Sequence, residues 1–482
     1  MGLQCPKLLW IKCHEKWLIP KPGESQQHLF DQGHEVGNLA KSLFPKGIEI
    51  ETKPWEYTES DTLTRKEIEK KKPLFEAGFL VDGLYSRADV LMPAGKNMWD
   101  IIEVKSGTKV EEVHVQDAAF QRYVYEKAGL KIRKCFLMHI NNEYVRKGKI
   151  NIKQLFKKED ITKQVNEAII GIEERIDKML KIISSPKCLE VKIGPQCNDP
   201  YECALHDYCW KHIPLNSVFD MYRLGKKAFD LYDSGVINLK DIPDTFELNE
   251  KQLIQHNCTK CNKAHIHKEE IKNWLKQLKY PLYFMDFETY ATAIPLYNKL
   301  KPYQNITFQF SVHIINKPGQ KAKHFSFIAD GLTDPRKEFI GQLRKVMGKS
   351  GSVIVYNQSF EQKRLEELAT IFPKHKSWVK ALTKRFIDLL IPFRSFWYYN
   401  PSQQGSASLK CVLPALTGKS YEGMEIAEGG MASRRFLYLS HGDAKGQHPS
   451  KEEAEKIRHD LEKYCGLDTE GMIFILEKLK KL

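Results

Sequence analysis

Two stretches of this chain place carboxylates where an apolar strand ordinarily carries none. Leu282-Tyr-Phe-Met-Asp286-Phe-Glu288-Thr289 reads as a buried strand whose alternation puts Asp286 and Glu288 on one face. Unpaired carboxylates there lose hydration and repel each other, and a divalent cation offsets both effects. In Asp100-Ile-Ile-Glu103-Val104-Lys105 the same spacing puts Glu103 and Lys105 on one strand face, with Ile102 and Val104 toward the core. A turn at Pro93–Lys96 separates this strand from Gly78–Met92, so a hairpin brings Asp89 beside Glu103. Two carboxylates hold a divalent ion; a lysine beside them orients water or meets charge developing on a phosphate.

Cysteines supply a second kind of chemistry. Cys197, Cys203 and Cys209 recur with five residues between neighbours, in Cys197-Asn-Asp-Pro-Tyr-Glu-Cys203-Ala-Leu-His-Asp-Tyr-Cys209. Three thiols need a fourth soft ligand to hold zinc or an iron–sulfur cubane. Cys5, in Cys5-Pro-Lys-Leu-Leu-Trp10, is the expected fourth, with Cys13 as its rival. Eleven cysteines in 482 residues are too sparse for a disulfide scaffold. Cys258-Thr-Lys-Cys261, followed by His265 and His267, reads either as a small zinc site or as a polar helical connector with incidental ligands.

The elements that must position these groups fall into three regions. Residues 1–213 read as helix Leu29–Leu43, strands Gly78–Met92 and Asn97–Val104, helix Val113–Ala128, strand Arg133–Ile140 and one long helix, Ile161–Ile182. Residues 214–278 read as a helical connector. Residues 279–482 read as strands Leu282–Phe287, Ile306–Ile314, His324–Ala329 and Val353–Tyr356, helix Phe360–Ala369, and terminal helices Ser450–Tyr464 and Glu470–Leu482. Hairpins followed by helices on a sheet give an α/β fold class. The composition, 42% hydrophobic and 28% charged, excludes disordered, collagenous and coiled-coil classes. No apolar run has membrane-helix length, and Met1–Trp10 lacks the features of a signal peptide, so a cytoplasmic protein without membrane partners is expected. A net charge of +14 favours a polyanionic partner. There is no Gly-x4-Gly-Lys-Ser/Thr nucleotide loop.

The first region resembles the PD-(D/E)XK nucleases of the RecB and Cas4-like branch. The resemblance implies a restriction-endonuclease-like fold, with Asp89 as metal ligand and Glu103-Val104-Lys105 as the E-x-K element. It implies that His34, in Gly33-His-Glu-Val-Gly37, is a further metal ligand. Gln121 and Tyr125 match the family Q-x-x-x-Y element, share a helical face and are expected to point toward DNA or the site. Related nucleases hold a [4Fe–4S] cluster with one early cysteine and three late ones, which implies Cys5, Cys197, Cys203 and Cys209 here. Their triplet often opens as C-x2-C; this one opens with five intervening residues, and zinc stays open as the alternative.

The last region resembles the DEDDy 3′–5′ exonucleases, which are RNase H-like. Asp286-Phe-Glu288 matches the first motif, and Tyr464-Cys-Gly-Leu-Asp468 the third. Asn357-Gln-Ser-Phe-Glu361 approximates the second, with Glu for the family Asp and Asp388 as a competing acid. Ser408-Leu-Lys410 resembles an element leading into a substrate-proximal helix. The implied catalytic set is Asp286, Glu288, Glu361 and Asp468 around two Mg²⁺ or Mn²⁺ ions, with Tyr464 orienting water. Nearly the whole chain is similar to the bacterial DUF2779 family, most clearly in Tyr280–Tyr290, Phe308–Ser311 and Tyr464–Met472. The expectation is a two-module, metal-dependent DNA nuclease in processing, repair or defence, with a helicase, ATPase or defence complex as the class of protein partner. RNA is the alternative substrate, and a non-catalytic nucleic-acid-binding scaffold the alternative role.

Overall fold

The computed structural model describes residues 1–443 and 446–482. It is a mixed α/β structure that divides into two compact units. The units do not follow chain order: the first contains Met1–Lys192, Gln196–Leu205 and Ala291–Gln304, and the second contains Ile193–Pro195, His206–Tyr290 and Asn305–Leu482. Residues 214–278, read as a connector, therefore fold into the second unit, and part of the C-terminal region folds into the first.

In the first unit, six strands lie in chain order: β1 (Ile48–Glu49), β2 (Leu74–Val81), β3 (Leu84–Pro93), β4 (Met98–Lys105), β5 (Lys131–Ile140) and β6 (Phe156–Asp160). β2, β3 and β4 are antiparallel neighbours, and β4 runs parallel to β5 through the crossover helix Glu112–Lys127. That helix buries Val115, Ala118, Ala119 and Val124 against one sheet face, together with Ile101 and Leu137. Helix Glu24–Lys41 buries Val36 and Ala40 on a second cluster with Val90, Ile102 and Met138. The single expected strand Gly78–Met92 is instead a hairpin. Asp82 and Gly83 both have positive φ, 50° and 76°, which suits the two-residue turn that Asp-Gly favours. The expected long helix Ile161–Ile182 breaks at Gly171, φ 71°, into Thr162–Ile169 and Ile172–Ile183. Within this unit the segment Ala291–Gln304 is tied down by hydrogen bonds. The Arg146 guanidinium donates to the carbonyls of Pro295 and Leu296 at 2.8 and 2.6 Å, and the Gly148 amide donates to Asn298 Oδ1 at 2.6 Å.

The second unit opens with short helices whose own core includes Val218, Met221, Leu231 and Ile242. Strand β7 (His265–Ile266) pairs antiparallel with β13 (Tyr398–Tyr399). Between them lies a five-stranded sheet of β8 (Leu282–Tyr290), β9 (Ile306–Ile315), β10 (Lys323–Ile328), β11 (Ser352–Val355) and β12 (Phe386–Asp388). Its order is β10-β9-β8-β11-β12, the first three antiparallel and the last two parallel to β8. Met285, Phe287, Phe310 and Val353 form its core with Phe339, Leu343, Leu365 and Leu368. Helix Lys451–Leu479 packs on the sheet and is one 29-residue element rather than the two expected. Gly466 and Gly471 lie inside it, and a Cβ at Gly471 would meet Leu413 Cδ2 at 3.1 Å, so glycine here permits close helix packing.

Candidate metal centres

β8 runs into the core through Met285 and Phe287, which turns Asp286 and Glu288 to the opposite face. Helix Lys451–Leu479 presents Tyr464, Cys465 and Asp468, which share a helical face by their spacing. Glu361 comes from helix Gln358–Ile371, which starts directly after β11, and is 2% exposed with Oε2 lacking a hydrogen-bond partner. Oxygens of Asp286 and Glu288 and the Cys465 sulfur lie within 4.8 Å of one another. The Tyr421 hydroxyl donates to Asp468 Oδ1. The Lys410 ammonium stands 5.9 Å from the Tyr421 ring centre and 5.7 Å from that of Tyr464.

Burial, then the charge of Asp468, holds the Asp286 carboxyl well above its usual range. Glu288 is raised by burial and then by Asp286, and Glu361 by the same two causes in the same order. Burial raises Asp468 to about 7, against the lowering influence of Tyr421 and Lys410. Burial and then Asp468 push Tyr464 above the ordinary phenol value, which suits orienting water better than removing its proton. Asp388, the competing acid, serves the backbone instead. Its Oδ1 accepts the amides of Asn357 and Leu390, each at 3.0 Å, which fixes the turn into the Glu361 helix. Sequence reasoning missed Cys465 and Tyr421. A cysteine three residues before Asp468 was the legible signal for the first; nothing in the spacing announces the second.

In the first unit the hairpin does place Asp89 beside the E-x-K strand. Asp89 Oδ2 accepts the Val104 amide at 2.7 Å, beyond the last paired residues of β3 and β4. Glu103 Oε1 accepts from Lys105 Nζ and Oε2 from Gln121 Nε2, both at 2.7 Å. Burial, then Glu103, raises Asp89 well above its usual range. Burial works against the Lys105 charge, but Glu103 outweighs it and holds the ammonium above its usual value. Asp117 Oδ2 lies 3.9 Å from the same ammonium. Glu76, not foreseen, joins the site's electrostatics. It interrupts β2 at φ 56°, pairs with Lys41 at 3.0 Å and Arg87 at 3.1 Å, and helps raise Asp89.

Two expectations change. Tyr125 is 0% exposed, so it does not contact nucleic acid; its hydroxyl accepts the Ala88 amide at 2.8 Å and donates to the Ala77 carbonyl. It is a staple between β2 and β3. Gln121 is likewise buried, and reaches the site through Glu103 rather than through a free surface. His34 lies exposed on helix Glu24–Lys41 and takes no part in the hydrogen bonds that hold Asp89 and Glu103.

Cys5, Cys197 and Cys203 are buried in the first unit. The Gln4 side-chain amide donates to the carbonyls of Gln196 and Tyr201 at 3.0 and 2.7 Å, and the Cys203 amide donates to the Cys197 carbonyl at 2.8 Å. The segment bearing Cys5 is thus tied to the loop bearing the other two, but among the described residues the three thiols do not converge within 4.8 Å of one another. Cys209 is on helix His206–Trp210 of the second unit, and Cys13 is exposed. Cys188, which the sequence pattern did not single out, lies half-buried in the neighbourhood of Cys5. Cys258 packs with Phe396 and Tyr399, and His267 caps helix Lys268–Leu275. Among the described residues, Cys258, Cys261, His265 and His267 do not converge as a metal site.

Fold and centre together define a mixed α/β protein built around clustered, buried carboxylates. Residues 283–408 match the family described as Domain of unknown function (DUF2779). The match contains Asp286, Glu288 and Glu361 and stops before Tyr464 and Asp468. The uncharacterized protein MG366 of Mycoplasma genitalium is 27% identical over 239 residues, 44% of this chain and 34% of its own. Its homolog in Mycoplasma pneumoniae is 27% identical over 222 residues, 42% of this chain and 32% of its own. The uncharacterized protein UU173 of Ureaplasma parvum is 24% identical over 322 residues, 60% and 44% of the two chains. The chain thus spans about a third to under half of the length of these relatives. No solved structure matches. Among the described residues no helix is long and apolar enough to cross a membrane.

Proposed function

We propose that this protein is a metal-dependent nuclease acting on DNA, with a 3′–5′ exonuclease centre in its second unit and a PD-(D/E)XK-type centre in its first. The observation that carries the reading is the gathering of Asp286, Glu288, Glu361 and Asp468 from one strand and two helices, their carboxyls all raised by burial and most of them by one another. The antiparallel meander extended by two parallel strands is the arrangement expected of an RNase H-like domain. Asp286, Glu288, Glu361 and Asp468 would hold Mg²⁺ or Mn²⁺, which would supply a polarised water and offset charge on the phosphate and the leaving oxygen.

The side chains divide the remaining work. Tyr464 orients the attacking water, and Lys410, among the aromatic rings of Tyr421 and Tyr464, offers a cation to a phosphate. Tyr421 fixes the rotamer of Asp468 through its hydroxyl. In the first unit Asp89, Glu103 and Lys105 form the second centre, and Gln121 holds Glu103 in orientation. Cys5, Cys197 and Cys203 are soft donors for a [4Fe–4S] cluster whose role is structural. The positive net charge suits a polyanionic substrate.

The test is cleavage of end-labelled single- and double-stranded DNA and RNA by anaerobically purified full-length protein with Mg²⁺, Mn²⁺ or EDTA. Metal-dependent shortening from the 3′ end, lost in Asp286→Asn and kept in Asp89→Asn, supports the assignment. Tight nucleic-acid binding without product under any metal would replace it with a scaffold role.

A further inference from the structure

The proposed exonuclease centre contains a side chain that hard-metal chemistry does not call for. Cys465 is fully buried, and its Sγ lies 3.7 Å from Asp286 Oδ2 and 4.0 Å from the Asp286 carbonyl. Its sulfur falls within 4.8 Å of ligand oxygens from Asp286 and Glu288. It comes from the same helix as Asp468, three residues earlier. A cysteine serving only as a small apolar filler has no need of a carboxylate neighbour. A second, independent sign of an absent cation lies across the site: Glu361 is 2% exposed and its Oε2 has no hydrogen-bond partner.

We propose that Cys465 is a metal ligand and extends the preference of this centre beyond Mg²⁺ and Mn²⁺ toward thiophilic divalent cations. This rests on the acidic cluster being a metal site. Carboxylates alone suit Mg²⁺, Ca²⁺ and Mn²⁺, whereas a thiolate shifts preference toward Zn²⁺, Co²⁺ and Cd²⁺. As the metal–sulfur bond forms, the thiol proton leaves to solvent, and the buried neutral thiol becomes a thiolate whose charge the cation balances. The chemical class of the ligand is therefore a borderline-soft divalent ion, held by one sulfur and at least two carboxylate oxygens.

Co²⁺ titration of the full-length protein, followed by absorption, tests this directly. Other cysteines in the chain contribute sulfur-to-cobalt charge transfer of their own, so the reading is the difference between wild type and Cys465→Ser, with Asp286→Asn as companion. The expected result is loss of one metal equivalent's charge-transfer band in both variants, while Cys465→Ser still shows the visible d–d absorption of Co²⁺ at the acidic site. A parallel competition should show Cys465→Ser losing roughly tenfold or more in Cd²⁺ affinity with Mg²⁺ affinity within about twofold. An unchanged charge-transfer band in Cys465→Ser, with Asp286→Asn still losing d–d absorption, overturns the ligand role and leaves the metal centre standing. No difference between wild type and Asp286→Asn in either band overturns both. The retained d–d absorption also separates a missing ligand from a misfolded variant.

Discussion

Tyr125→Phe should loosen the first unit at a place that its metal chemistry depends on. The ring is wholly buried and packs edge-on against Phe79, so the substitution keeps its volume. The hydroxyl alone is lost. It accepts the Ala88 amide at 2.8 Å and donates to the Ala77 carbonyl, and Ala77 and Ala88 face one another across β2 and β3 just past the Glu76 irregularity. Without it, one buried N–H and one buried C=O lose a partner. Each such group is worth about 1–3 kcal/mol, and local relaxation recovers part, so the loss is about 2–4 kcal/mol. Because every 1.4 kcal/mol is about tenfold, amides in β2 and β3 should lose roughly 30- to 700-fold of their hydrogen-exchange protection. Exchange measured by mass spectrometry on peptides covering residues 74–91 reads this directly. The same peptides carry Asp89, so divalent-ion affinity at that centre should fall with protection. Unchanged protection in residues 74–91 would refute the staple, because a hydroxyl with another role leaves both main-chain groups satisfied.

The remaining expectations follow from the same contacts. Tyr464→Phe should lower second-unit turnover about 10- to 100-fold and leave Mn²⁺ affinity unchanged, as measured by single-turnover kinetics and Mn²⁺ titration. A divalent cation at a hundred times its Kd should stabilise the protein by about 2.7 kcal/mol in thermal unfolding, and Asp286→Asn should reduce that gain while stabilising the metal-free form. Burial and then His324 lower His313 to about 4, below its ordinary value near 6.5, so the folded state keeps it neutral. Stability is then full above about pH 6.5 and is lost as pH falls toward 4, by roughly 1–2 kcal/mol after allowance for solvent screening, and His313→Gln should flatten that part of the profile. Gln4→Leu should release the Cys5 segment from the cysteine loop and speed loss of bound iron or zinc to a chelator, read by metal content against time.

Much of the site was legible because a carboxylate on an apolar strand is conspicuous whatever surrounds it. Asp286, Glu288 and Glu103 announced themselves through period-two alternation, and Asp89 through the hairpin that faces it. Elements were misread where one residue decides the backbone. Asp82-Gly83 turns what reads as one strand, Gly171 breaks what reads as one helix, and Gly466 and Gly471 lie inside a helix that reads as two. Tyr125 was misplaced because four-residue spacing gives a helical face but not which neighbour that face meets. Glu76 stood in an apolar strand and offered the same signal as Glu103; its role depends on a positive φ that no composition reveals. Tyr421 lies 47 residues from Asp468, and only the fold joins them.

The two acidic sites resolve their electrostatics in opposite ways. In the first unit each carboxylate has a protein donor: Asp89 has the Val104 amide, and Glu103 has an ammonium and a side-chain amide. Even so, burial and Glu103 hold Asp89 well above its usual range. In the second, the Tyr421 hydroxyl donates to Asp468, and the Cys465 thiol and the Phe287 amide to Asp286, while Glu361 Oε2 has no partner among the described residues. Like charges on Asp286 and Glu288, whose oxygens lie within 4.8 Å, repel by about 3.5 kcal/mol or more at an effective dielectric near 20. Burial and this repulsion together keep protons on the metal-free centre; burial raises Asp468 to about 7. Cation binding must displace those protons, so affinity at this centre should climb with pH through neutrality. A fold that keeps four mutually repelling acids beside one another retains them for a charge that arrives from outside the chain.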